Sequence, residues 1–185
     1  MHGVIFCLFK KMVVTRLGAE AWDTLVERTP LTTTGGLFLG TATYPDADLL
    51  GLVGTASAVT GRPVGDLLRA FARFAFPDLA AVNPAFIGPE TTARSFLESV
   101  DAVIHSEVHK QQPMANLPYF TYEDTEPDRL VMLYSSPRNL CDLVAGFIDG
   151  VGDYFGQEIV AEHTLCKRDG HPHCRFELQF VPRTD

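Results

Sequence analysis

The chain has 185 residues, 46% of them hydrophobic, and a formal net charge of −8 at neutral pH. That length suits one domain with a sizeable core. The acidic balance, without any basic block, argues against nucleic acid or an anionic membrane surface as a partner. No stretch approaches the ~20 apolar residues of a membrane span. The opening "MHGVIFCLFKKMVV" lacks the basic n-region of a secretory signal. A cytoplasmic location with reduced thiols is expected.

Residues 2–17 place Ile5, Leu8, Phe9, Met12 and Val13 at helical spacing and stop at Gly18. A short helix is predicted through "EAWDTLVER", followed by a loop, "TPLTTTGGLFLGTATYP". Asp46 opens a helix ending at Gly61. Pro63 opens another, "VGDLLRAFARFAF", with Leu67, Leu68, Phe71 and Phe74 facing inward. "PDLAAVNPAFIGP" is expected to connect elements with at most one helical turn, and a longer helix is predicted from Glu90 to about Gln111. Beyond Pro113 the pattern changes to strands, "YFTYED" and "RLVMLYS", then a helix through about Asp149. The strands "EIVAEHTLC" and "CRFELQF" follow, joined by the hairpin loop "KRDGHPH". The predicted class is α+β, a helical N-terminal half on a C-terminal half of antiparallel strands and helices.

Two stretches carry chemistry. In "YSSPR", Tyr134 and Ser136 share one face of a strand. Ser136-Pro137 reads as a helix N-cap followed by proline at the first helical position, which puts Arg138 in the first turn, a corner suited to an anion. In "FLESVDAVIHSEVHK", Leu97, Val100, Ile104 and Val108 form an apolar stripe, with Asp101 and His105 at its edge. His105 reads either as a boundary histidine hydrogen-bonded to Asp101 or as a single metal ligand. His109, one turn on, lacks a third partner for zinc. A lone axial imidazole suits haem, whose porphyrin supplies four nitrogens, and the two hydroxyls and guanidinium of "YSSPR" suit its carboxylates.

These residues bring the chain to a known family. It resembles the H-NOX domain, the haem–nitric oxide/oxygen binding fold related to the sensor domain of soluble guanylate cyclase. The Tyr-x-Ser-x-Arg pattern at Tyr134, Ser136 and Arg138, the helix "ESVDAVIH" ending in His105, and the opening "MHGVIF" carry the match. "RNLCDLVAGFIDG" and "HCRF" extend it. The resemblance implies a single domain over residues 1–181, with a helical subdomain at about 1–62, a haem-binding remainder at about 63–181 and a tail at 182–185. It implies haem b buried between the two halves, His105 as its proximal ligand and Pro118 pressing on the macrocycle. The distal pocket would comprise Ile5, Phe9, Phe74, Leu143 and Phe147, none with a hydrogen-bond donor. Oxygen-binding members have a tyrosine where this chain has Leu143, so the expected ligand is nitric oxide, with carbon monoxide a further one. A non-enzymatic sensor is implied, relaying a change at the iron–His105 bond to a separate histidine kinase or cyclic-di-GMP enzyme. A stand-alone sensor module is therefore expected. The alternatives are a haem enzyme, peroxidase or nitric oxide scavenger, which would want a distal proton-handling group, and an iron-free binder of lipid- or bilin-like molecules.

Of four cysteines, Cys7 reads as helix packing. Cys141, Cys166 and Cys174 with His163 make a Cys3His set of the kind structural zinc prefers. His163 and Cys166 fall on opposite faces of a strand unless a bulge intervenes, and His171 and His173 compete as the fourth ligand. A subset of bacterial H-NOX proteins has such a zinc site at matching positions, which implies Cys141, His163, Cys166 and Cys174 here and suggests thiol oxidation as a second input.

Overall fold

Apolar spacing builds helices α1, Gly3–Leu17, and α2, Ala19–Arg28. Gly18 between them takes φ 92, a conformation readily open only to glycine. Helices α3, Asp46–Thr60, and α4, Val64–Val82, complete the N-terminal layer. The structure is a computed structural model that describes residues 1–32, 34–82, 84–111 and 116–181. The predicted connection at "PDLAAV" is helical instead, with Pro77 inside α4. Proline disfavours a helix interior, yet Phe76 and Ala80 on either side of it are buried, and that burial outweighs the local preference.

The single helix predicted from Glu90 to Gln111 is three segments. Helix α5 is Ala93–Ser99, a π-helical turn spans Val100–His105, and α6 is Ser106–Gln111. The start shifts to Ala93 because Thr92 and Ser95 form a reciprocal capping box. Strands β1, Tyr119–Glu126, and β2, Arg129–Ser135, form a hairpin. Arg94 of α5 fastens its tip, donating to the carbonyls of Glu126 and Arg129 at 2.6 and 2.7 Å. Helix α7, Cys141–Phe155, runs past the predicted end at Asp149 to the left-handed Gly156. Strands β3, Glu158–Leu165, and β4, Cys174–Val181, complete an antiparallel sheet in the order β1-β2-β4-β3.

The fold is α+β. Helices α4 and α7 pack closely because α7 offers glycine at the crossing; a Cβ on Gly146 would stand 2.1 Å from the Arg69 carbonyl oxygen. The core divides into two clusters. Phe6, Phe9, Trp22, Leu52 and Phe71 belong to one; Phe96, Leu130, Ile148 and Phe176 belong to the other. Leu143 packs on the first and Phe147, one turn along α7, on the second, so the boundary crosses α7 between them. Among the described residues, no helix is long and apolar enough to cross a membrane. Pro113 and the predicted tail at 182–185 lie outside the described residues.

Candidate functional site

His105 closes the π-helical turn. Such turns insert one residue into a helical register and recur at functional sites. Here the turn delivers the imidazole to a groove of about 440 Å³ shared with Asp101, His109, Leu117 and Pro118. The alternative reading of His105, a boundary histidine hydrogen-bonded to Asp101, is not met: Asp101 Oδ1 lies 3.6 Å from His105 Nδ1, beyond bonding distance. Asp101 instead accepts from the backbone N–H of Phe120 at 3.1 Å, tying the turn to β1. His105 Nδ1 is buried without a partner. Burial lowers the imidazole pKa, against the upward pull of Asp101 and the Pro118 backbone, so the ring is neutral near pH 7, the form that ligates metal.

The second half of the site is the segment after β2. Ser136 does not cap α7, which begins at Cys141 with Leu140 as its N-cap residue. Ser136 to Asn139 form a turn instead. Ser136 Oγ accepts from the Arg138 N–H at 3.2 Å, and Asn139 takes φ 51. Proline suits the second position of a turn as well as the first of a helix, which is why the two could not be separated by sequence. Tyr134 is 3% exposed; its hydroxyl accepts from the Leu140 N–H at 3.2 Å, and burial raises its pKa. Arg138 donates through Nε and Nη2 to the Asp46 carboxylate and through Nη1 to the Asn116 carbonyl. Burial acts to raise the Asp46 pKa, but Arg138 and the Met1 ammonium outweigh it and hold the carboxyl below its ordinary range.

The two halves meet along residues 116–120. Asn116 receives Arg138, and Leu117 and Pro118 line the His105 groove. The Phe120 ring stands 5.7 Å from the His105 ring and 5.4 Å from that of Tyr134. The apolar candidates divide. Ile5, Phe74 and Leu143 pack half-buried on one core cluster and Phe147 on the other. Phe9 is fully enclosed, edge-on to Phe71 at 5.3 Å.

A third group lies behind the Ser136–Asn139 turn. Donor atoms of Cys141, His163, Cys166 and Cys174 all fall within 4.8 Å of one another, without His171 or His173. The strand register shifts between His163 and Leu165, a bulge that brings His163 onto the side of Cys166. The His163 ring stacks on Phe176 at 4.4 Å. Cys141 Sγ and Cys166 Sγ stand 3.8 Å apart, close to the ~3.8 Å edge of a tetrahedron with ~2.3 Å zinc–sulfur bonds. Burial pushes the Cys141 thiol up to about 12. At Cys166 burial acts the same way, but Arg168 outweighs it and the thiol lies below its usual range. Cys7 stands apart, its thiol against the Phe38 carbonyl at 3.4 Å.

A family profile described as haem-NO-binding matches residues 2–163. The chain belongs to this family. H-NOX domains are haem-based gas sensors. The fold is similar to that of an H-NOX protein from Shewanella oneidensis in its Fe(II)NO state, at 26% identity and a TM-score of 0.91 over 98% of this chain and 100% of that one. It is similar to an unliganded Fe(II) H-NOX protein from K. algicida, at 27% identity and a TM-score of 0.87 over 100% and 99% of the two chains. An H-NOX variant from T. tengcongensis, 19% identical, shares the fold with a TM-score of 0.86 over 100% of both chains. No curated protein sequence matches the chain. Within this H-NOX chain, sequence reasoning missed Asp46 as the partner of Arg138, 92 residues away. An acidic residue opening a helix also serves the helix dipole, so nothing local marked it for a distant arginine.

Proposed function

We propose that this H-NOX chain binds haem b at His105 and senses nitric oxide. The observation that carries the reading is the His105 imidazole, with Nδ1 buried and unpartnered, on a π-turn at the rim of the groove. His105 would hold the iron, and Tyr134, Ser136 and Arg138 the haem carboxylates. Pro118 would press on the macrocycle, and Ile5, Phe9, Phe74, Leu143 and Phe147 would cover the distal face. When bound, the haem supplies a ferrous iron that takes a diatomic gas.

The chain's own contribution is selectivity and relay. None of the five distal side chains carries a hydrogen-bond donor. Oxygen binding to ferrous haem gains from a donor, whereas nitric oxide binding does not depend on one. Carbon monoxide fits by the same reasoning; the Shewanella oneidensis domain was solved in an Fe(II)CO state. Release of the His105 imidazole would change the load on the π-turn, which Asp101 passes to β1 through the Phe120 N–H. A gas shifts that equilibrium only by its differential affinity for the two states. The receiver would be a separate histidine kinase or cyclic-di-GMP enzyme in the cytoplasm. In absorbance, haem-loaded ferrous protein is expected to keep its Soret band in air and shift it with nitric oxide; a reversible, oxygen-dependent shift overturns the selectivity.

The thiol group belongs to the same proposal as a structural zinc site of Cys141, His163, Cys166 and Cys174, open to thiol oxidation as a second input. Three sulfurs and one imidazole are a donor set that tetrahedral zinc accepts. Elemental analysis of reduced protein is expected to give about one zinc per chain, and Cys174→Ser to lower it to a small fraction. Stoichiometric zinc in the Cys174→Ser variant would sink the ligand assignment.

A further inference from the structure

The haem-carboxylate corner and the thiol cluster are built on the same backbone. Cys174 pairs with Tyr134 across β4 and β2. Cys141 follows Leu140, whose N–H donates to the Tyr134 hydroxyl at 3.2 Å. Lys167, next to Cys166, closes the circuit from the far side. Its backbone N–H donates to Cys174 Sγ at 3.3 Å, and its ammonium donates to the Ser136 carbonyl at 3.3 Å. Each of the three cysteines is therefore one residue or one strand pairing from a group that shapes the turn.

That turn has little local support of its own. Asn139 is the only non-glycine residue at positive φ among the described residues, and α7 starts without a side-chain cap. Ordering it must come from neighbours. A tetrahedral cation fixes the spacing of its donors, and a fixed Cys174 and Cys141 hold both ends of the segment that carries Tyr134, Ser136 and Arg138. Uncharged thiols make only weak hydrogen bonds and hold it less firmly.

We infer that a soft divalent cation on Cys141, His163, Cys166 and Cys174 raises the haem affinity of the Tyr134–Arg138 corner, with Lys167 as the positioning residue that couples the two sites. The inference rests on the haem and zinc readings above. Because coupling is reciprocal, haem tightens zinc by the factor by which zinc tightens haem.

The test follows haem loss from the full, haem-loaded chain to an excess of apo-haem protein under reducing conditions, with zinc bound and after chelation. In the unaltered protein, chelation is expected to speed haem loss about tenfold, inside the roughly 5- to 150-fold range of such couplings. In Lys167→Met, zinc still binds, but the ratio falls clearly below that of the unaltered protein, and zinc affinity differs less between haem-loaded and haem-free protein. A ratio of one in the unaltered protein, with both ligands bound, overturns the coupling alone. An undiminished ratio in Lys167→Met removes Lys167 from it. Failure of zinc or haem to bind overturns the underlying reading and the coupling with it.

Discussion

His105→Gly is expected to abolish stable haem loading while leaving the fold intact, and added imidazole is expected to restore the ferrous spectrum without restoring the gas signal to a partner. The side chain lies outside both core clusters, at 18% exposure, and its Nδ1 makes no hydrogen bond. Its removal breaks no hydrogen bond and loses one ring contact, with Phe120, and glycine in place of another helical residue costs about 1 kcal/mol. Losing an outer-shell partner of a metal typically lowers affinity roughly 10- to 100-fold, and losing the ligand itself should exceed that. Free imidazole can refill the position but is not bonded to the π-turn. Spectral titration with haem and imidazole, beside a circular dichroism melt, reads both effects. Unchanged haem affinity without imidazole would remove His105 from the ligand role.

The second large effect is on stability. In Gly146→Ala, the new Cβ would stand 2.1 Å from the Arg69 carbonyl oxygen and 2.8 Å from the Ala72 Cβ. Alanine favours a helix over glycine by about 1 kcal/mol, so propensity and sterics oppose each other. Sterics should win, because the obstructing atom is backbone and cannot rotate away. Overpacking costs about 1–3 kcal/mol, occasionally more, and at roughly 2–4 °C per kcal/mol for this size Tm should fall by about 5–10 °C. Gly54→Ala is the control: nothing lies within 4 Å of its added Cβ, so Tm should hold or rise slightly. A Gly146→Ala protein as stable as its parent would mean that α4 and α7 separate without penalty.

Much of this architecture could be read in the residues, and the failures share a cause. Helix α3 fits its prediction because Asp46 and Gly61 are strong local signals at its two ends. The π-turn could not be read, because Leu97, Val100 and Ile104 continue an ordinary apolar spacing through it; within it Asp101 accepts from the Phe120 N–H, a partner 19 residues away. The capping box at Thr92 was visible in principle, but serine stands where the usual signature has glutamate or glutamine. Ser136-Pro137 misled because cap and turn use the same two residues. The bulge near His163 left no mark in composition; it shows only in the pairing of β3 with β4. Local chemistry wrote the elements, and contacts distant in sequence set the details of the site.

Arg138 has one more consequence. A guanidinium carries five N–H hydrogens in a planar fork. Asp46 and the Asn116 carbonyl engage three of its nitrogens, and each terminal nitrogen has a second hydrogen. An arriving anion would be added to these contacts without exchanging them. The long side chain is immobilised beforehand, so the rotamer entropy otherwise lost on association is already spent in folding, and preorganisation appears as tighter binding.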